Sequence, residues 1–405
     1  MMKFMTKWAL ALVPGLALAT PALALAPDNQ ADLAQPGSVI IFPKFINMPA
    51  VSVDGGILVP RTEIEVGAVC PVGATCTEHQ AVKVRFHWVC PAVENVGSNI
   101  CQETDFDVNL SIDGKLAFPA DGAVPGTYWV NAPRVPAPPC PRGYLIGWVI
   151  NTADQPIKFD GLIGNAVIRN PNLVAGPDAG SSTGLSAYSA LQIQADPALA
   201  SGALITTAPV NSLTGQGQLF FDGLPGDYTM ITGSFAGDVR FDKTTIGVPA
   251  PNLLSTTFIT FLTLDVLSNL PNNPTFVPLQ FWNESLATVS GTNPLFEALT
   301  SASWEFVCWD QVQLSTINVN LTQAFQGTRK GIVRAGPAMK VENGAPNDDI
   351  GPVTLLGLIE TTEGTAANVF LERKYNFNVN VTGTPVATRF VPFPFSGPST
   401  PPAAD

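Results

Sequence analysis

The sequence predicts an all-β protein, organised as two tandem β-sandwich-like domains joined by a long Gly/Ala/Ser/Pro-rich connection. Three observations lead there. Apolar residues recur at every second position along much of the chain, whereas no window of about twelve residues keeps the i, i+3, i+4, i+7 stripe of an amphipathic helix. With 37 prolines and 35 glycines, the chain has enough breakers to separate many short strands. Its 46% hydrophobic content is too high for a disordered chain and sufficient for a large core.

Residues 1–24 read as a secretory signal peptide. Lys3 and Lys7 precede an apolar stretch, and Ala22-Leu23-Ala24 supplies the small residues of a cleavage site. Pro14, Gly15 and Pro21 interrupt that stretch, and elsewhere no run of about 18 apolar residues escapes charges or prolines. The expected product is secreted, periplasmic or on the cell surface, without a transmembrane anchor.

An N-terminal sandwich is expected over 25–170. In "VKVRFHWVC", Val82, Val84, Phe86, Trp88 and Cys90 share one face, and Lys83, Arg85 and His87 the other. "DFDVNLSIDGKLAF" alternates likewise through Phe106, Val108, Leu110 and Ile112, and Asp113-Gly114 predicts a tight hairpin turn. "GYLIGWVINTADQPIKFDG" predicts a strand, a turn around Asn151–Pro156 and a return ending at Phe159. Residues 171–250 are expected to be a partly flexible connection that still packs "LFFDG" and "YTMITGSF" as strands. A C-terminal sandwich should fill 251–390, with "STTFITFLTLDVLSN" as a central strand covered on both faces, and 391–405 is a Pro-rich tail.

The halves share an order of features. "TEIEVGAV" matches "TFITFLTLDV", "FHWVCPAVEN" matches "LQFWNES", and "CQETDFDVNLS" matches "CWDQVQLS"; "YLIGWVIN" matches "TLLGLIE", and Phe159 falls opposite Phe370. A degenerate internal repeat explains this, as does chance similarity between strands. The blocks "GSVIIFPKF", "GWVINTADQPIKFDGLIGNAVIR", "FVCW" and "TLLGLIE" also resemble, in this order, a group of exported bacterial hypothetical proteins. That resemblance implies export and a β-rich fold and transfers no functional residue.

Charge and cysteines narrow the function. The chain is acidic, with a formal net charge of −12, and the signal removes two of its lysines. Its densest basic cluster is Arg329-Lys330 with Arg334, far short of what a phosphate backbone requires. Nucleic acid is therefore excluded as a partner. Export makes disulfides the default for Cys70, Cys76, Cys90, Cys101, Cys140 and Cys308. The preferred pairing is Cys70 with Cys76 and Cys90 with Cys101, leaving Cys140 with Cys308. Zinc is the rival, but the spacings are not C-x2–4-C and the chain has two histidines.

Several residues invite a chemical reading, each beside a structural one. Gly180-Ser-Ser-Thr-Gly184 fits G-x-S-x-G, yet no strand leads into it and both histidines precede it. Glu63 and Glu65 share a strand face about 7 Å apart, a spacing suited to paired-carboxylate hydrolysis or to a solvated face. Asp105, Asp107 and Asn109 begin like a calcium loop, with Asp113 beyond, but Leu110 stands where such a loop needs Gly. The segment "NDDIG" at 347–351 is a further calcium candidate. His79 with Glu78, and His87, could ligate a metal, or lie respectively in a disulfide-flanked loop and on an outward strand face. Trp88 and Trp148 fit a core; Trp129 and Trp304 are the candidates for a carbohydrate-stacking surface. Asp160-Gly161 reads as a bend whose carboxylate accepts backbone N–H bonds.

The sum is an exported, non-enzymatic structural, adhesive or assembly protein of the cell envelope or extracellular matrix, with no cofactor beyond a weak calcium site. Its expected partners are itself, or other envelope proteins, through β-strand pairing. The alternatives are a carbohydrate-binding module and a secreted hydrolase using paired carboxylates.

Overall fold

The computed structural model describes residues 35–390 apart from 50, 54–55, 59, 78–79, 92–100, 122–134, 170–184, 210–216, 241–253, 265–273, 284–301, 318–329, 343–344, 365–368, 377–384 and 387. The expected signal peptide, the Gly180–Gly184 motif, Glu78, His79, Trp129 and the Pro-rich tail lie outside the described residues. The fold is all-β, and the one helix among the described residues is the turn Leu314–Ile317.

In chain order, the first half contributes β1 Val39–Ile46, β2 Val51–Val53, β3 Gly56–Leu58, β4 Arg61–Ala68, β5 Ala81–Val89, β6 Glu103–Ser111, β7 Gly114–Pro119, β8 Arg142–Ile150, β9 Leu162–Arg169, β10 Leu185–Ser189 and β11 Leu191–Ile193. Then come β12 Thr207–Pro209, β13 Gly217–Phe221 and β14 Ile231–Thr232. The second half has β15 Phe235–Arg240, β16 Leu254–Leu262, β17 Thr275–Asn283, β18 Ala302–Phe306, β19 Trp309–Gln313, β20 Lys330–Ala335, β21 Ala338–Glu342, β22 Ala345–Val353, β23 Leu356–Gly364 and β24 Val369–Asn376. Finally, β25 Pro385–Val386 and β26 Thr388–Phe390 close the chain.

Period-two patterning sorts side chains into layers. Phe42, Val84, Phe86, Trp88, Phe106 and Leu145 of the sheet β11-β1-β8-β5-β6 meet Ile64, Val66, Phe118 and Ile168 of the sheet β10-β9-β4-β7 in one core. Gly147 permits this packing: a Cβ there would come within 2.4 Å of the Phe86 ring. Similarly, Phe235, Val277, Leu279 and Val333 of the sheet containing β15-β20-β17 meet Ile259, Phe261, Val312 and Ile359 of the sheet β19-β16-β23-β24. β16 is central, as its sequence predicts, pairing with β19 on one side and β23 on the other.

The two sheet pairs repeat one another strand for strand. The order β10-β9-β4-β7 corresponds to β24-β23-β16-β19, and β1-β8-β5-β6 corresponds to β15-β20-β17-β18. The hairpins β2-β3 and β21-β22 are insertions into this common plan. Two of the sequence matches therefore align equivalent strands, β4 with β16 and β5 with β17. The other three do not: Cys101 leads into β6 but Cys308 into β19, "YLIGWVIN" is β8 but "TLLGLIE" leads into β23, and Phe159 precedes β9 while Phe370 lies in β24.

Two local expectations need correction. Asp113 does adopt the left-handed backbone, with φ 60°, but β6 and β7 do not form a hairpin ladder. The turn carries the chain from one sheet to the other, since Asp113 N donates to Ala68 O of β4. The stretch 171–250 is also more than a connection: β10 and β11 complete the first pair of sheets and β15 begins the second. Between them β13 pairs with β12 and with β26, and β14 pairs with β25. Leu219, Phe221, Tyr228 and Ile231 of this layer pack with Val39, Ile41, Tyr144, Ile146 and Trp148 on the outer face of the five-stranded sheet.

Candidate functional site

A cleft of about 1000 Å³ lies at the bend containing Asp160. Three chain segments supply most of its lining. Cys70–Cys76 closes a loop whose Gly73 has φ 79° and whose Val72 is fully exposed. The bend Ile157–Asp160 forms a second wall and the stretch Gln194–Gly202 a third.

Asp160 holds these walls together. Its Oδ1 accepts from Ser38 Oγ at 2.6 Å and from Ala195 N at 2.9 Å, while Ser38 Oγ accepts from Phe159 N at 2.8 Å. The buried Lys158 ammonium donates to Asp196 O at 2.7 Å and lies 3.5 Å from Asp160 Oδ2. One carboxylate thus ties the start of β1, the bend before β9 and the end of β11. Acting as a general base would require giving up these bonds.

The other candidate acids face cations. Glu63, buried against solvent, lies 2.6 Å from Arg169 Nε and 3.8 Å from Arg61 Nη2; Glu65 lies 2.7 Å from Lys115 Nζ. Asp107 takes a two-point contact from Arg85, at 2.9 and 3.1 Å, and a third from Lys83 at 2.9 Å. Burial alone would raise Asp107, but the hydrogen bonds from Arg85 and Lys83 outweigh it and hold the carboxyl below its ordinary value. Asn109 sits opposite Lys83 and Asp105 opposite His87, so the suggested start of a calcium loop is one rail of a cross-strand charge ladder. Burial raises Asp105, with His87 acting against it. His87 occupies the expected face but is buried rather than solvated, bonding Glu103 and stacking on Trp148 with ring centroids 4.6 Å apart. Among the described residues, no group of three or more His, Cys, Asp or Glu is placed to hold a metal ion.

Among the described residues, three of the tryptophans singled out by the sequence are also committed. Trp88 is buried and donates to Pro136 O at 3.0 Å. Trp148 is buried too, and Trp304 is half-buried against the second core, its indole N–H reaching Asp310 Oδ2 at 2.9 Å. Burial raises the Asp310 carboxyl, and the Trp304 bond opposes that rise.

Disulfide pairing departs from expectation at two of three bonds. Cys70–Cys76 forms, but Cys90 pairs with Cys140 and Cys101 with Cys308. The reason is topological: Cys90 and Cys101 flank the paired strands β5 and β6 on opposite sides of the sheet, Cys90 in the inner core and Cys101 in the outer cluster.

Sequence reasoning missed two constellations. Lys44 and Glu360, both fully buried, bridge the two sheet pairs at 2.8 and 3.0 Å, and a lysine inside the apolar run "VIIFPKFI" was the available signal. Nearby, Trp309 Nε1 donates to Pro43 O at 2.8 Å and Tyr144 Oη to Thr263 O at 3.2 Å. The second is the aspartate group Asp196, Asp222 and Asp227, signalled by "DGLPGD", two acids bracketing a Gly/Pro turn. No protein-family model matches the chain, and no curated protein matches it.

Proposed function

We propose that the chain is an exported, non-enzymatic component of the cell envelope or extracellular matrix that acts structurally, assembling with itself or with envelope partners. The observation that carries this is the set of three disulfides, one of which, Cys101–Cys308, joins the two sheet pairs. Such bonds persist in oxidising compartments. The engagement of Asp160, Glu63, Glu65 and Asp107 in fixed bonds supports a load-sharing role over a reactive one. No helix among the described residues is long and apolar enough to cross a membrane, which leaves export as a folded β-protein open.

Fractionation of expressing cells, with thiol labelling under denaturing conditions, tests compartment: the chain should appear outside the cytoplasm with no labelled cysteine. Electron microscopy and sedimentation over a concentration series test assembly. Monomers at every concentration, alone and with envelope extract, would remove the structural reading.

A further inference from the structure

Lys44, Gln311 and Glu360 come from three strands, β1, β19 and β23, and meet in the seam between the two sheet pairs. One carboxylate oxygen joins them: Glu360 Oε2 accepts from Lys44 Nζ at 2.8 Å and from Gln311 Nε2 at 2.5 Å. Its second oxygen takes a further bond from Lys44 Nζ at 3.0 Å.

Strand register fixes this meeting. β16 runs between β19 and β23, with Thr260 opposite Gln311 and Phe258 opposite Glu360, so Thr260, Gln311 and Glu360 share one face. Thr260 Oγ1 accepts from Gln311 Nε2 at 3.3 Å and so orients the carboxamide. Lys44 is held by its own backbone, since Tyr188 Oη accepts from Lys44 N at 3.2 Å and donates to Lys44 O. Pro43 O accepts from Trp309 Nε1 at 2.8 Å, which pins β1 to β19 one residue from Lys44 and two from Gln311.

An amine attacks a carboxamide only after losing a proton, and the amide nitrogen leaves only after gaining one. A carboxylate in contact with both nitrogens can make both transfers. We propose that Lys44 and Gln311 become joined by an intramolecular isopeptide bond, with Glu360 carrying the protons. Glu360 takes a proton from the Lys44 ammonium, and the freed lone pair attacks Gln311 Cδ to form the new C–N bond. The Cδ–Nε2 bond then breaks as Nε2 takes protons through Glu360. Lys44 Nζ gives up two protons and keeps one, Nε2 gains two and departs as ammonium, and nothing is oxidised or reduced. Lys44 is 0% exposed and Glu360 1%, which keeps water, the competing nucleophile, away from the site. The fold supplies the proximity that a reaction between separate amine and amide lacks. The ion pair of Lys44 with Glu360 is the reactant state. The product ties the first sheet pair to the second by a bond that reduction of Cys101–Cys308 does not release. This inference stands apart from the compartment and assembly readings above.

Mass spectrometry of the full mature chain, reduced and denatured, tests it. The chain should be lighter by one ammonia than its sequence requires, and peptide mapping should find the segment carrying Lys44 joined to the segment carrying Gln311, with trypsin unable to cut after Lys44. Gln311→Met should restore the full mass, leave the two segments separate, and change migration in a reducing denaturing gel, because the loop between the two residues is then open. Glu360→Gln, which cannot carry a proton, should also yield separate segments. A folded wild-type chain of full mass would overturn the proposal without reference to any variant. Ammonia lost elsewhere, with the two segments separate, would overturn it as well. Loss of one water with Lys44 joined to Glu360 would make the carboxylate the acceptor and sink the assigned roles, as would a joined product in Glu360→Gln.

Discussion

Lys44→Met should be among the most damaging conservative substitutions in the chain. Lys44 is 0% exposed and Glu360 1%, so the pair is fully removed from water between β1 and β23. The ammonium contacts both carboxylate oxygens, at 3.0 and 2.8 Å, and Gln311 Nε2 adds a 2.5 Å bond to Oε2. Methionine preserves volume but leaves Glu360 as a buried charge without its cation, which costs about 3–5 kcal/mol. Glu360→Leu should cost a similar amount for the mirror reason. Combining the two replaces the whole pair with hydrophobes of comparable size, and such replacements are about neutral or stabilising. Guanidinium unfolding followed by tryptophan fluorescence provides the cycle, with Trp309, bonded to Pro43, as a reporter in the same seam. The double variant should therefore be at least about 3 kcal/mol more stable than the sum of the single effects predicts. Additive single effects, or a Lys44→Met cost below about 1 kcal/mol, would refute the claim that the charge pair carries this seam.

Other consequences can be measured on the same material. Removing Cys101–Cys308 by paired serine substitutions should destabilise by about 3 kcal/mol more than removing Cys70–Cys76, because the first spans 207 residues and the second 6; parallel denaturant melts would show it. Asp160→Ala should cost about 1–3 kcal/mol through the lost bonds from Ser38 and Ala195, and Asp160→Asn less, since its amide oxygen still accepts; equal stability of all three chains would contradict the bend role. Asp107 is depressed in the folded state, so its contribution is present above the ordinary carboxylate value and is lost as pH falls through the lower, folded value. Asp107→Asn should thus lower the melting temperature at pH 7 and flatten the acid limb of the melting curve below pH 4.

Alternation made the layers legible because a strand commits every second residue to one side. Val82 through Trp88, and Phe106 through Ile112, all lie in the core their pattern assigns. What alternation does not encode is which strand is the neighbour. The Asp113-Gly114 pair announced a left-handed turn correctly, yet the same dihedral serves a hairpin or a crossing between sheets. The choice was made by Ala68 O, remote in sequence. Disulfides failed for the same reason: proximity in sequence favoured Cys90 with Cys101, whereas the two strands they flank turn them to opposite faces. His87 reads as solvated from one strand alone, whereas in the fold it is buried, with Trp148 and Glu103 among its neighbours.

The connecting layer shows the same limit from the other side, and it ties the two halves to one folding problem. The run 195–232 is rich in Gly, Ala, Ser, Thr and Pro and is broken by turns, yet Ile205, Leu219, Phe221, Tyr228 and Ile231 are all buried. They are buried because the five-stranded sheet leaves Val39, Ile41, Ile146 and Trp148 on its outer face, an apolar surface that needs a cover. That cover needs strands from the far end of the chain, β25 and β26, to complete its pairing. The second sheet pair must therefore be in place, or nearly so, before the outer layer of the first is finished. A chain cut after Leu262 would retain both sheets of the first pair yet lose β25, β26, Trp309 and Glu360 together. Such a fragment should expose the Trp148 face and bind a hydrophobic dye that the full chain excludes; a fragment as dye-silent as the full chain would mean that the layer closes without its C-terminal strands.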